Sequence, residues 1–497
     1  MTDDLMQRAA EAMAASRAGE DPDRPIFHVA PPVGRLNDPN GLLIKDGTYH
    51  AFYQFSPFFP ERGVFWGHAT SDDLVHWETH PPAIAPDRDY DRDGAYSGNA
   101  FFNGDEVWLF YSGNVRPGDV TRASHQCLVT TPDLVHFTKY EGNPIIDSAP
   151  DGFTPHYRDP QVWTDTDGSY RMAIGAKRVG NIGAMVFLRS DDLLHWRYDG
   201  DLSFPDAAGA FDHFGYMWEC PNFLTMTDEV TGETKDVLIF SPQGIPAREE
   251  AFRNIFAVGY VVGRLDGTAF HEVTDITEMD AGFEYYAPQV FKRAPGDEGP
   301  VTYIAWVGNS ATDDHPSLPD HGWIHCLSVP RTLTLHDGKL RQQPVVGTGE
   351  LGLAPLAVAG QSLTDTTTAL AELDGIRSFV LTLHLDLSDA AAATLRLGTE
   401  ECHVSVAFAE GKMTVDRSTA RYPRSHDARK MVRSVTLPEG DEVDLLVVHD
   451  RSVTELYLAD GEIVFSLRSF LEPDGFGVTL TADGTVGVRE AAALEIH

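Results

Sequence analysis

Cations are scarce in this chain of 497 residues: 38 Lys and Arg stand against 75 Asp and Glu, a net charge of -37. That balance argues against nucleic acid and against an anionic membrane surface as partners, since both would repel it. Cysteine is scarcer still. Cys127, Cys220, Cys326 and Cys402 lie far apart, with no CxxC pair, so neither a zinc knuckle nor a disulfide framework is supported. A reducing compartment suits such a chain, and a cytoplasmic location is expected. No apolar run reaches the ~18 residues of a membrane span. Residues 1–25 open on an Ala-rich, charged stretch without the apolar core of a signal peptide, which reads as a short helix or loose arm. Helical 3.6-residue periodicity is also missing along the remainder.

What is present is a repeat. Asp73-Leu74-Val75-His76-Trp77 returns as Asp133-Leu134-Val135-His136-Phe137 and as Asp192-Leu193-Leu194-His195-Trp196, a spacing of about 60 residues. Short aromatic and β-branched runs keep the same step, beginning near Gly47, Asp105, Gly168, Asp236 and Val301. Strand-type segments parted by Gly, Asp and Asn turns indicate all-β structure. About four strands per period suit a propeller blade, and five copies predict a five-bladed β-propeller over residues 26–345. A Gly/Ala/Pro-rich linker is expected at 346–360. Alternating runs such as Phe379–Leu385, Cys402–Val406, Val443–Val448 and Ile463–Leu467 then predict a β-sandwich over 361–497.

The innermost strand of each blade should line the axis. Asp38, Ser97, Asp159, Glu219 and Tyr286 lie just ahead of the five repeated strands, so residues distant in sequence should meet in one funnel. Asp38 sits within Gly34-Arg35-Leu36-Asn37-Asp38-Pro39-Asn40-Gly41. The proline biases Asp38 toward extended backbone, and a strand end is expected there. Arg158-Asp159-Pro160 repeats the device, and Trp218-Glu219-Cys220-Pro221 sets a third acid in a similar frame. Any one of these would ordinarily be a turn; three in register with a blade repeat point to chemistry. Retaining glycoside hydrolysis needs a carboxylate nucleophile and a proton donor roughly 5 Å apart, and Asp38 and Glu219 are the candidates. Asp159 beside Arg158 should stay ionised and anchor sugar hydroxyls. Glu219, between Trp218 and Cys220, should be desolvated as a general acid requires.

With these motifs in view the chain resembles glycoside hydrolase family 32, the invertases, sucrose-6-phosphate hydrolases, levanases and inulinases. The likeness runs from about Ile26 to the C-terminus. It includes Asn37–Gly41, Gly67–Ala69, Tyr96–Gly98, Arg158–Pro160, Glu219–Pro221, Phe240–Gly244, Tyr285–Ala287 and Leu327–Arg331. The resemblance implies a propeller plus sandwich, with Asp38 as nucleophile, Glu219 as acid/base and Asp159 as transition-state stabiliser. It implies a substrate-binding set of Asn37, Gln54, Trp66, Ser97, Arg158, Tyr286 and Trp306, and it implies neither metal nor organic cofactor. The expected substrate is a small saccharide, sucrose or its 6-phosphate. Exo-hydrolysis of fructo-oligosaccharides and a non-catalytic sugar-binding propeller are the alternatives. The oligomeric state is not written in the chain.

Three positions depart from the family pattern, Arg35, Asn99 and Glu284, and each is expected to reshape the region near the sugar. A phosphate contact would need one or two cations at the rim, for which Arg35, Arg62 and Lys177 are candidates. Asp89-Tyr90-Asp91-Arg92-Asp93-Gly94 imitates the start of a calcium loop, but Ala100 stands at the twelfth position, where Glu is needed. A solvated loop is expected instead. His76, His136 and His195 recur with the blade and read as structural, and Trp77, Phe137 and Trp196 as blade core.

Overall fold

Five sheets of four main strands each follow one another between residues 34 and 344. The computed structural model describes residues 2–118, 122–310, 316–346, 352–421 and 431–497. The innermost strands are Gly34–Lys45, Gly94–Asn103, Phe153–Thr164, Met217–Thr227 and Tyr286–Val290, and they neighbour one another in a ring. The ring closes where Trp323–Ile324 and Lys292–Arg293 pair in parallel with the first inner strand. The architecture is the expected five-bladed propeller.

The repeated Asp-Leu-x-His motif forms a turn ahead of the outermost strand in the first three blades. In each copy the Asp accepts the backbone N–H groups of the next residues but one and but two. It also holds the Nδ1 of the His at 2.7 Å. That clamp keeps Leu74, Leu134 and Leu193 in the left-handed region, at φ 65°, 59° and 66°, where a leucine is otherwise rare. The three histidines are therefore turn locks. Trp77, Phe137 and Trp196 pack against the blade cores.

All five innermost strands carry a register shift at their special residue or directly after it. The shifts fall between Leu36 and Pro39, between Tyr96 and Gly98, opposite Ala173–Gly175 at Asp159, between Glu219 and Asn222, and between Tyr286 and Gln289. A bulge of this kind leaves one residue out of the ladder and re-aims its side chain. It is also where proline is tolerated inside a sheet, which explains Pro39, Pro160, Pro221 and Pro288. Asp38 thus sits at a bulge within its strand and not at a strand end. Asp159, Cys220 and Ala287 adopt positive φ of 65°, 49° and 50°.

The C-terminal sandwich is one continuous ten-stranded sheet folded over on itself. Two long strands, Ser378–Gly398 and Val478–Glu495, pair along their length and bend at register shifts between Asp386 and Ala392. One half of Ser378–Gly398 pairs with Glu442–Asp450 and the other with His403–Ala409. The two halves enclose a core that includes Leu381, Leu395, Val406, Val447 and Leu480. Of the expected linker, residues 347–351 lie outside the described residues. Ala354–Pro355 already pairs with Ala492–Ala493 of the sandwich sheet.

The N-terminal arm is a helix, Thr2–Ala14, followed by a strap between the two domains. Asp450 accepts the backbone N–H groups of Ile26, Phe27 and His28. Beneath the strap lies a buried ionic network. Arg331 of the fifth blade donates to Glu455 of the sandwich at 2.7 Å and to Asp280 at 3.3 Å. His28 bridges Asp450 and Glu455. Burial alone would lower the His28 pKa, but bonding to the two carboxylates pushes it up to about 9. Glu284 joins the same interface, taking two bonds of 2.7 Å from Arg417. It therefore does not reshape the sugar region.

Removing the Arg331 cation would strand Glu455 and Asp280 in the interior. Arg331→Met is expected to lower unfolding stability by ~3–5 kcal/mol in urea titrations. A loss below ~1 kcal/mol, the scale of a surface pair, would show that the network does not hold the domains together.

Candidate active site

Three carboxylates from blades one, three and four meet at the axis, each with its own set of partners. Asp38 accepts from neutral side chains only. Asn37 Nδ2 reaches its Oδ1 at 3.1 Å, while Gln54 Nε2 at 3.1 Å and Ser97 Oγ at 2.7 Å reach its Oδ2. Gln54 and Ser97 are also hydrogen-bonded to each other. The Asn37 amide is itself held through its oxygen by Arg35 Nη1 at 3.0 Å, and the Arg35 guanidinium lies 5.2 Å from the Trp306 ring centroid. Gly98, after Ser97, has no room for a side chain: a Cβ there would stand 1.8 Å from the Phe110 carbonyl oxygen.

Glu219 is gripped on both oxygens. Arg158 donates to Oε1 through Nε at 2.7 Å and through Nη2, and Gln243 Nε2 donates to Oε2 at 2.7 Å beside the Tyr286 hydroxyl. Asp159 has the sparsest set, with the Cys220 N–H on Oδ2 at 3.2 Å and the Cys220 thiol at 3.6 Å. Its own N–H is fixed by Ser112 Oγ at 2.9 Å.

These environments separate the acids electrostatically. Burial, opposed by the bonds from Ser97 and Asn37, raises the Asp38 pKa. Burial and then the Glu219 charge push Asp159 up to about 7, with Arg158 pulling the other way. The pull of Arg158 on Asp159 is thus outweighed by burial and by the Glu219 charge. Neighbours in sequence point apart across a strand, so the Arg158 side chain is spent on Glu219. Burial tends to neutralise Arg158, but the Glu219 charge, followed by that of Asp159, holds its pKa above the ordinary value. Nor does Glu219 sit bare among apolar neighbours: the Trp218 indole turns away to the Phe214 carbonyl oxygen.

Residues 28–344 match the profile described as the glycosyl hydrolases family 32 N-terminal domain, and residues 356–497 match that of the family 32 C terminal. The chain belongs to glycoside hydrolase family 32. It is 34% identical to a sucrose-6-phosphate hydrolase of Bacillus subtilis, over 97% of this chain and 96% of the relative. Identity is likewise 34% to a sucrose-6-phosphate hydrolase of Escherichia coli, over 95% and 94%. Among solved structures, a sucrose-6-phosphate hydrolase from Lactobacillus gasseri superposes with TM-score 0.84 at 30% identity, covering 99% of this chain and 96% of that one. A Bombyx mori family 32 beta-fructofuranosidase gives 0.81 at 28% identity, covering 100% and 99%.

Of the residues expected in this glycoside hydrolase site, the structure gathers Asp38, Asp159, Glu219, Asn37, Gln54, Ser97, Arg158 and Tyr286 into one hydrogen-bonded and charge-coupled group. Trp306 borders it, paired across the strands with Tyr286, and its buried indole N–H has no partner among the described residues. Trp66 departs from expectation. It is wholly buried between blades one and two and gives its N–H to the Tyr96 carbonyl at 3.0 Å, so it braces the Ser97 strand from behind. Asn99 likewise serves structure, accepting from the Val162 N–H of the next blade. The loop at Asp89–Asp93 is only partly solvated: Asp91 is buried, held by Tyr111 and Lys139. Gln243 was missed as a site residue. The signal was its place in Phe240–Gly244, a stretch whose strand pairs directly with that of Glu219.

The raised Asp159 pKa has a consequence for stability. An unfolded Asp titrates near 3.8 and the folded one near 7, so between those values the folded protein holds the extra proton. Stability from this site is present at low pH and falls as pH rises through the window. Asn does not titrate. The melting temperature of Asp159→Asn, relative to wild type, should therefore climb between about pH 4 and pH 7. A constant difference over that range would contradict the raised value.

Proposed function

We propose that this protein is a retaining β-fructofuranosidase that releases the terminal β-D-fructofuranosyl unit of sucrose or sucrose-6-phosphate. The observation that carries this reading is the asymmetry of the acids. Asp38 is oriented by three neutral donors, which aim a carboxylate without neutralising it, as a nucleophile requires. Its attack on the anomeric carbon forms a fructosyl ester, and water then displaces that ester with overall retention.

Glu219 is the proton donor to the leaving oxygen and, in the second step, the base toward water. Arg158, Gln243 and Tyr286 hold it in one orientation through both steps. Asp159 accepts from fructose hydroxyls and steadies the oxocarbenium-like transition state, with Asn37, Gln54, Ser97 and Trp306 lining the same subsite. Among the described residues no helix is long and apolar enough to cross a membrane. With all four cysteines unpaired and buried, we place the enzyme in the cytoplasm.

The roles separate by leaving group. Glu219→Gln should lose roughly 10²–10⁴-fold on sucrose, whose glucose hydroxyl leaves poorly without a proton. It should lose far less in the first step with fructosyl fluoride, and azide should rescue turnover. Asp159→Asn should fail on both donors without rescue. Identical patterns for the two variants in steady-state assays on both donors would refute the division of roles.

A further inference from the structure

An amide side chain follows the axial residue in every blade. Asn40, Asn99 and Gln161 stand two positions after Asp38, Ser97 and Asp159, and Asn222 and Gln289 three after Glu219 and Tyr286. All five are buried. Their partners are backbone groups. Asn99 Oδ1 accepts the Val162 N–H of blade three at 3.1 Å. Gln161 takes both groups of Phe223 in blade four, accepting its N–H at 2.8 Å and donating to its carbonyl at 3.2 Å. Asn222 donates to the Pro288 carbonyl of blade five at 2.8 Å and accepts the Val290 N–H at 3.2 Å. Gln289 reaches past blade one and donates to the Gly98 carbonyl of blade two at 2.9 Å.

The topology explains the need for these bonds. An innermost strand is the edge of its sheet, and a buried edge has N–H and C=O groups that must find partners. Blade one is covered, because Trp323–Ile324 and Lys292–Arg293 pair with its edge. Its amide stays within the blade: turned to satisfy both ends, Asn40 donates to the Pro39 carbonyl and accepts the Gln54 N–H. The innermost strands of blades two to five have no strand on that side, and each receives one amide. An amide carries donor and acceptor together, which neither a carboxylate nor an ammonium does. It is also neutral, so it adds no charge beside three buried acids that already perturb one another.

The links run from blade two to three, three to four, four to five, and from five back to two. They close on themselves, so none of these blades can shift along the axis without stretching two links. The same strands carry Ser97, Asp159, Glu219 and Tyr286. The last link bears on the nucleophile, since Gly98 follows Ser97, whose hydroxyl donates to Asp38 at 2.7 Å. We propose that Asn99, Gln161, Asn222 and Gln289 are positioning residues: a closed amide circuit that holds the acid/base, the stabiliser and the nucleophile's donor at reacting distances. This rests on the β-fructofuranosidase reading above.

The test is kcat and KM on sucrose, with melting temperature, for wild type, Gln289→Met, Asn99→Leu, their double variant, Asn99→Asp and Ser124→Ala. Circular dichroism and gel filtration establish which variants are folded. Each single break should lower kcat by roughly 10–10²-fold, the scale of a catalytic group displaced by up to an ångström, with KM little changed. The double variant should lose little more than the worse single, because a circuit once opened has less left to hold. Asn99→Asp keeps the acceptor, and the Asn99 Nδ2 it replaces has no partner among the described residues, so it should retain most of kcat. Ser124→Ala removes a bond between blades two and three outside the circuit and should leave kcat unchanged. Lower melting temperatures with kcat intact, or failure of both single variants to fold, would make the amides braces of the fold alone and overturn the circuit. Losses that multiply in the double variant would show independent contacts and overturn it too. Either result leaves the fructofuranosidase reading standing. Wild type inactive on both sucrose and sucrose-6-phosphate would bring down that reading and the circuit with it.

Discussion

Five β-bulges, one on each innermost strand, are the constraint on which the site depends. A regular strand sends successive side chains to opposite faces, and in a propeller those faces are buried against the neighbouring blades. A residue reaches the axis with freedom to act where the ladder breaks at it or directly beside it. The register shifts take Asp38, Ser97 and Asp159 out of the ladder, and in blades four and five they begin directly after the still-paired Glu219 and Tyr286. Proline follows the bulged residue or its neighbour in four of the five blades, where the missing N–H costs no ladder bond. The left-handed backbone at Asp159 and Cys220 then lets the Cys220 N–H meet the Asp159 carboxylate. The chemistry and the strand irregularity are one feature.

Around that frame the protein divides charge unevenly. Three acids share the axis, and the nearest cation, Arg158, is committed to Glu219. Asp38 relies on neutral donors, and Asp159 on a backbone N–H and burial. Like charges held together in a buried site cannot all remain ionised, and the cost appears at Asp159. The sandwich and the N-terminal strap lock blade five through Arg331, Glu455, His28 and Asp450.

Much of this was legible in the sequence. The blade count came from a repeat whose physical basis is now visible: an Asp-clamped turn with a left-handed leucine. The three acids stood out because proline followed each within two residues, a pattern that makes little sense in a regular strand. What could not be read were the partners. Arg158 adjoins Asp159 in sequence, but strand geometry points it at Glu219, and no local pattern reveals that. Trp66 was expected to line the sugar site and Glu284, a departure from the family pattern, to reshape it, yet one braces the Ser97 strand and the other holds the sandwich through Arg417. Their roles depend on which blade or domain comes to lie against them. Likewise the alternation of the C-terminal strands announced a sandwich but not that its two layers are a single sheet bent at Asp386–Ala392.

The account stands or falls on the side chain that carries the sugar. Glu219→Gln mixed with fructosyl fluoride and quenched in acid should yield a peptide one anhydrofructose unit heavier, and fragmentation by mass spectrometry should place that mass on Asp38. A label on Asp159, or a burst of fluoride release with no labelled peptide, would contradict Asp38 as the nucleophile.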